Sequence, residues 1–212
     1  MNDPIAGLHE NALEILRGVL LAEPPAEIGH DDFDLHPEMR PSGQTDAVEA
    51  AVLIPVIARQ TPALLFTRRT ETLSRHSGQV SFPGGRRDPA DLSPVETALR
   101  ETREETGIDP AFVRVAGFLP RYRTGSGFNI LPVIGVLAEG FALTPDPREV
   151  AEIFEVPLAF FLDPANRREE SRELGGKLRR FYAFRPGPHY IWGATAAILY
   201  DFTTRLAVPK VL

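Results

Sequence analysis

Asp91–Ile108 reads DLSPVETALRETREETGI and marks the central helix from end to end. Its left end carries three start signals in a row. Ser93 suits an N-cap, and Pro94 follows at the first helical position, where a missing N–H costs nothing. Glu96 stands three residues after Ser93 and completes a capping box. Gly107 sits just past the other end, where a left-handed residue closes a helix. The spacing therefore predicts a helix of about three to four turns. Glu101, Glu104 and Glu105 fall on it within an arc of about 100°. Like charges this close weaken a helix by a few tenths of a kcal/mol per pair. A hard divalent cation, which prefers carboxylate oxygen, would neutralise them. Arg100 and Arg103 leave the alternative of a salt-bridged surface helix with nothing bound.

Outward from the helix, Gly78–Gly85 (GQVSFPGG) leads in through Arg86, Arg87 and Asp88. Paired glycines allow a tight bend and a close backbone approach, so the chain turns directly onto the acidic helix. Further out, residues 47–58 and 63–68 read as buried strands joined by a turn at Gln60–Pro62. Strands are also expected at 113–119, 130–138, 152–156 and 178–184, with Pro132 marking an irregular or edge position. Helical spacing appears at 5–21 and 191–201. Residues 23–44 are rich in Pro, Asp and Gly and read as an extended arm, with Asp31, Asp32 and Asp34 as a solvated acidic cluster. Residues 167–180 read as a mobile mixed-charge surface segment. The expected fold class is α+β, a layered α/β/α domain. The division expected is an N-terminal helix and arm over 1–45 and one domain over 46–212.

The composition narrows the chemistry. The 212 residues include no cysteine, which excludes a disulfide framework, a thiolate nucleophile and any cysteine-ligated metal. The net charge is −6, so no summed positive field draws nucleic acid, and no nucleic-acid partner is expected. The longest apolar run, 130–138, is about half a bilayer span, so no membrane partner is expected either. Asn2, Asp3 and Pro4 stand where a signal peptide has basic residues, and a cytoplasmic protein is expected. A homodimer stays open. Proline is abundant, 20 residues, and Pro83 and Pro94 frame the loop and helix just described.

Gly85, then Arg100-Glu101-Thr102-Arg103-Glu104-Glu105-Thr106-Gly107-Ile108, resembles the signature of the Nudix hydrolase family. Two departures stand out. Thr102 replaces an aliphatic residue, and Gly85 to Arg100 is one residue longer than the family spacing, with the first glutamate missing. Asp91 is its nearest counterpart. Upstream, Leu65-Phe66-Thr67-Arg68-Arg69 and Leu73 to Gly85 are similar to the second signature of the coenzyme A pyrophosphatase branch. The resemblance covers about residues 50–205 and implies a Nudix-like α/β/α sandwich with a mixed sheet and a central metal-binding helix.

It also implies hydrolysis of the pyrophosphate bond of coenzyme A or an acyl-CoA, with Mg²⁺ or Mn²⁺ as cofactor. The alternatives are a hydrolase of ADP-ribose or another nucleoside diphosphate compound, and a nucleotide-sensing Nudix-fold module without catalysis. The implied metal set is Glu101, Glu104, Glu105 and Gly85. Arg100 would orient a helix glutamate. The general base would be a helix glutamate or Glu149, with Glu152 next. Arg68, Arg69, Arg75, His76, Gln79 and Gly84 would meet the substrate. Tyr122, Phe128, Tyr190 and Trp192 are candidates for stacking a base or for the core.

Overall fold

A computed structural model describes residues 4–40, 47–71, 77–174 and 176–207. The central helix runs Pro94–Thr106 (α2) and begins and ends where its caps dictate. Ser93 Oγ accepts the Glu96 N–H at 3.2 Å, and Gly107 closes the helix at φ 78°. The Glu96 carboxylate reaches one residue further than a capping box, accepting the Leu92 N–H at 2.7 Å.

α2 lies on a mixed sheet. Val48–Ile57 (β2) is its spine, pairing in parallel with Phe128–Leu137 (β8) over its whole length. Ala63–Arg69 (β3) pairs antiparallel with the end of β2, and Val80–Ser81 (β4) and Val150–Pro157 (β9) pair with β3. Gly84–Arg86 (β5) pairs with the start of β2. Val113–Phe118 (β6) and Arg121–Arg123 (β7) share the free side of β8. Pro132 lies in this central strand, where the neighbour changes from β7 to β6, so it is irregular and not an edge residue.

Both faces of the sheet are covered, as continuous apolar runs in β2 and β8 require. One face carries Ile54, Val56, Leu64 and Phe66. On it pack Leu13 and Leu16 of the first helix (α1, Pro4–Arg17), Phe161 of α3 (Leu158–Leu162), and Leu199 and Phe202 of α4 (Gly193–Ala207). The other face carries Ala51, Leu53, Val133, Leu65 and Leu137 against Ala98 of α2 and Ile108. The result is the expected α/β/α sandwich. Among the described residues no helix is long and apolar enough to cross a membrane.

Three expectations change. Helix α1 ends at Arg17, short of Leu21, whose backbone bonds with Phe118 instead. The extended arm carries a strand, Ile28–Asp31 (β1), that pairs in parallel with β7, and Asp31, Asp32 and Asp34 are engaged, not merely solvated. Asp31 binds Arg40 through both oxygens, Asp34 meets His30, and Asp32 accepts from Tyr122 Oη at 2.8 Å and from Gly125 N at 2.6 Å. The mixed-charge run is a hairpin of Arg167–Leu174 (β10) and Lys177–Phe184 (β11). It is completed by Ile191–Trp192 (β12), and its inner face packs on α4, where Tyr182 stacks on Tyr200 at 4.3 Å.

Candidate active site

One end of the sheet brings together the paired glycines, Arg69 and the acidic face of α2. The starts of β2, β8 and β9 and the end of β3 lie there, because β2 and β8 run parallel while β3 runs against them, and α2 crosses there with Glu101 beside Gly85. β5 brings Gly84 opposite Val52 and Gly85 opposite Ala51 at the same end. These glycines are required by space. A Cβ on Gly84 would sit 2.4 Å from the Ala51 carbonyl oxygen, and φ is +151°. A Cβ on Gly85 would sit 2.5 Å from Glu101 Oε2. Gly84→Ala is therefore expected to cost about 3 kcal/mol of stability in chemical denaturation. Gly85→Ala, which meets only a side chain, is expected to leave stability nearly unchanged and to displace the Glu101 carboxylate.

Arg100 is the hub of the acidic face. It grips Asp91 with Nε and Nη2, both at 2.9 Å. Its Nη1 donates to Glu101 at 2.9 Å and Glu104 at 3.1 Å, and Nη2 also reaches the Arg86 carbonyl at 3.1 Å. Asp91 is buried and takes further bonds from Asp88 N and Thr97 Oγ1. The Arg100 guanidinium holds its carboxyl well below the usual carboxylate range. So Asp91, not Glu96, is the acidic partner of the signature arginine.

Glu101, Glu104 and Glu105 differ sharply in setting. Glu104 is 59% exposed and Glu105 only 4%. Burial raises Glu105 to about 8, helped by Glu101 and Glu149 and opposed by Arg69 and the Gly84 backbone. Burial also raises Glu101, against the pull of Arg100. Arg69 Nη1 stands 3.7 Å from Glu105 Oε1, and its Nη2 stands 3.9 Å from Glu149 Oε2. Glu149 is half-exposed.

The other expected residues divide. Gln79 accepts the Arg69 N–H on its backbone oxygen at 3.0 Å, next to the glycines. Arg68 does not join Arg69. Adjacent strand residues point to opposite faces, and Arg68 pairs with Glu152 at 3.0 Å, away from Glu105. Arg75 and His76 lie outside the described residues. Tyr122 is core, while Tyr190 and Trp192 are half-buried on the outer hairpin sheet. A shallow groove lined by Ile57, Arg59, Phe141 and Glu155 lies at the opposite end of β2 and shares none of these residues.

The donor set suits a hard divalent cation. It is all oxygen, Glu105 Oε2 is buried without a partner, and Glu101 and Glu149 add negative potential there. Among the described residues no three acidic or histidine side chains are already closed into a ligand cage; Arg100 and Arg69 hold the carboxylates.

Comparison with known proteins gives the family. Residues 48–175 match the NUDIX domain, and the chain belongs to the Nudix family. It is 40% identical over 192 residues to a protein of Pectobacterium atrosepticum named "Uncharacterized Nudix hydrolase NudL", covering 87% of this chain and 98% of that one. A protein of the same name from Photorhabdus laumondii is 42% identical over 159 residues, covering 75% and 85%. Among solved structures, the MutT protein of Methanosarcina mazei Go1 aligns with 57% of this chain and 84% of its own, at 22% identity and a TM-score of 0.43. The chain is thus a Nudix hydrolase, of a class that acts on pyrophosphate bonds and generally uses divalent metal ions.

Proposed function

We propose that this hydrolase cleaves the pyrophosphate of coenzyme A or an acyl-CoA, giving adenosine 3′,5′-bisphosphate and 4′-phosphopantetheine or its acyl derivative. One observation carries the reading. The strand ending Thr67-Arg68-Arg69, the Gln79–Gly85 segment and the acidic helix meet at one point, where Arg69 bonds Gln79 and faces Glu105. These are the two segments that resemble the coenzyme A branch, joined to the segment that defines the family.

In this reading Glu101, Glu104, Glu105 and the Gly85 backbone would hold Mg²⁺ or Mn²⁺. A bound ion neutralises phosphate charge and lowers the pKa of a bound water. Arg100, fixed by Asp91, orients Glu101 and Glu104. Arg69 offers its guanidinium to a phosphate oxygen in place of Glu105 and Glu149. Glu149, half-exposed beside Arg69, takes the proton of the attacking water. One water is consumed, and one P–O bond of the anhydride breaks.

The test is hydrolysis of coenzyme A, dephospho-coenzyme A and ADP-ribose by the purified protein with Mg²⁺ or Mn²⁺, products separated by chromatography. Release of adenosine 3′,5′-bisphosphate from coenzyme A, well above turnover of the other two, is expected. Turnover of ADP-ribose with coenzyme A untouched would overturn the assignment, and nucleotide binding without any turnover would make the chain a sensor.

A further inference from the structure

The outer face of the hairpin sheet is unlike the rest of the surface. Strand register puts Arg168, Glu170 and Arg172 of β10, Arg179, Phe181 and Ala183 of β11, and Trp192 of β12 on that one face. Phe181 and Trp192 are neighbours, with ring centres 5.5 Å apart, and Tyr190 lies nearly parallel to Trp192 at 6.4 Å. Arg172 stands over the Trp192 ring at 5.4 Å, and Arg185 over Tyr190 at 4.2 Å. Tyr190 is held by its hydroxyl bond to Glu170 at 2.7 Å, and Glu170 also takes Arg185. With Arg168, Arg172, Arg179 and Arg185 against one glutamate, the face is cationic and aromatic on a chain whose net charge is −6.

Its position matters as much as its chemistry. At the base of the hairpin, Thr195 Oγ1 bonds the Val80 carbonyl of β4 at 3.3 Å. His189 stacks on Phe154 at 3.5 Å and stands 3.7 Å from Glu152, the partner of Arg68. At the tip, Arg179 lies over Phe33 at 4.8 Å, beside the turn at Gly125. That turn leads into β8, next to the start of β2. The hairpin therefore spans the same end of the sheet that carries Gly84 and Gly85.

We propose that this face seats the purine and the 3′-phosphate of the substrate, the base on Trp192 and Phe181 and the phosphate on Arg172 and Arg168. The proposal rests on the coenzyme A reading for the identity of the ligand. A purine stacks on an indole as readily as a guanidinium does, so the base takes the place of Arg172 on the ring and frees that side chain for the phosphate. The charge on the face complements the most anionic part of the nucleotide.

Trp192 is the only tryptophan, so its fluorescence reports on this face alone. Titrating the metal-free protein with adenosine 3′,5′-bisphosphate is expected to give a saturable quench. 4′-Phosphopantetheine and inorganic pyrophosphate are expected to give none. Arg172→Ala, at an exposed position, is expected to weaken the quench about tenfold. It is also expected to raise KM for coenzyme A by a similar factor with kcat held within about twofold. Trp192→Leu should show the same split. If coenzyme A is hydrolysed, but the adenosine bisphosphate leaves the fluorescence unchanged and Arg172→Ala leaves KM unchanged, the platform is wrong and the substrate assignment stands. If the quench and its loss in Arg172→Ala appear without hydrolysis of coenzyme A, the platform stands and the substrate assignment fails.

Discussion

Glu105→Gln is expected to lower metal-dependent hydrolysis about a thousandfold or more in kcat, because on the proposed assignment it removes an oxygen ligand of the ion, which would contribute several kcal/mol. The same variant carries a signature that does not depend on turnover. Glu105 is raised to about 8 by burial, from 4.5 when exposed. The folded metal-free protein therefore keeps a proton that the unfolded chain has released. Its stability contribution is full below about pH 4.5 and fades as pH rises towards 8, by an amount on the order of a few kcal/mol. Thermal melts of the metal-free wild type from pH 5 to 8 should show this decline. Mg²⁺ or Mn²⁺, which on the proposed assignment would take the place of the proton on the carboxylate, should offset it at the upper end. Glu105→Gln should flatten the decline and lose the metal effect. A Glu105→Gln protein that still hydrolyses at the wild-type rate, with an unchanged melt profile, would refute the metal assignment. Glu104→Gln, at an exposed position, should lower hydrolysis without altering the pH profile of the melt.

Asp91→Asn is expected to destabilise the protein by about 3 kcal/mol, because it strips the buried partner from a guanidinium that makes five bonds. The sign with pH is opposite to that of Glu105. Arg100 depresses Asp91 below its unfolded value of 3.8, so the stabilisation is present above that value and is lost as pH falls below it. Acid titration should unfold the wild type in a step that Asp91→Asn largely lacks. Activity should fall too, because Arg100 would no longer be fixed where it orients Glu101 and Glu104.

The two residues were not equally legible in the sequence. Helix α2 could be read outright, because Ser93, Pro94 and Gly107 act on their own backbone within a turn. The acidic face followed from periodicity alone. Asp91 was visible only as the nearest counterpart of a missing glutamate. Its pairing depends on how the chain bends at Asp88–Ser93, which no periodicity reports. The split of Arg68 from Arg69 was available from strand alternation, yet adjacent arginines read as one basic cluster. Strand β11 was legible at 178–184, but its partner β10 was hidden because charged residues occur on both its faces, so the period-2 signal of a strand is erased. Strand β1 has only four residues, and its parallel partner is some ninety positions away; nothing local marks it.

That last pairing bears on how the chain is assembled during synthesis. The arm is held by β7 and Tyr122, and then by the hairpin tip, where Arg179 covers Phe33 and Arg180 bonds the Leu35 carbonyl. Its clasp is thus made of residues about 145 positions later, and closing so long a loop is both late and slow. On the ribosome, the acidic helix and its glycine strand can pair as soon as residue 106 has emerged. The arm can pair with β7 once residue 125 has emerged, but its second hold must wait for β11. A chain stopped before β11 would have its N-terminal arm held by β7 and Tyr122 alone.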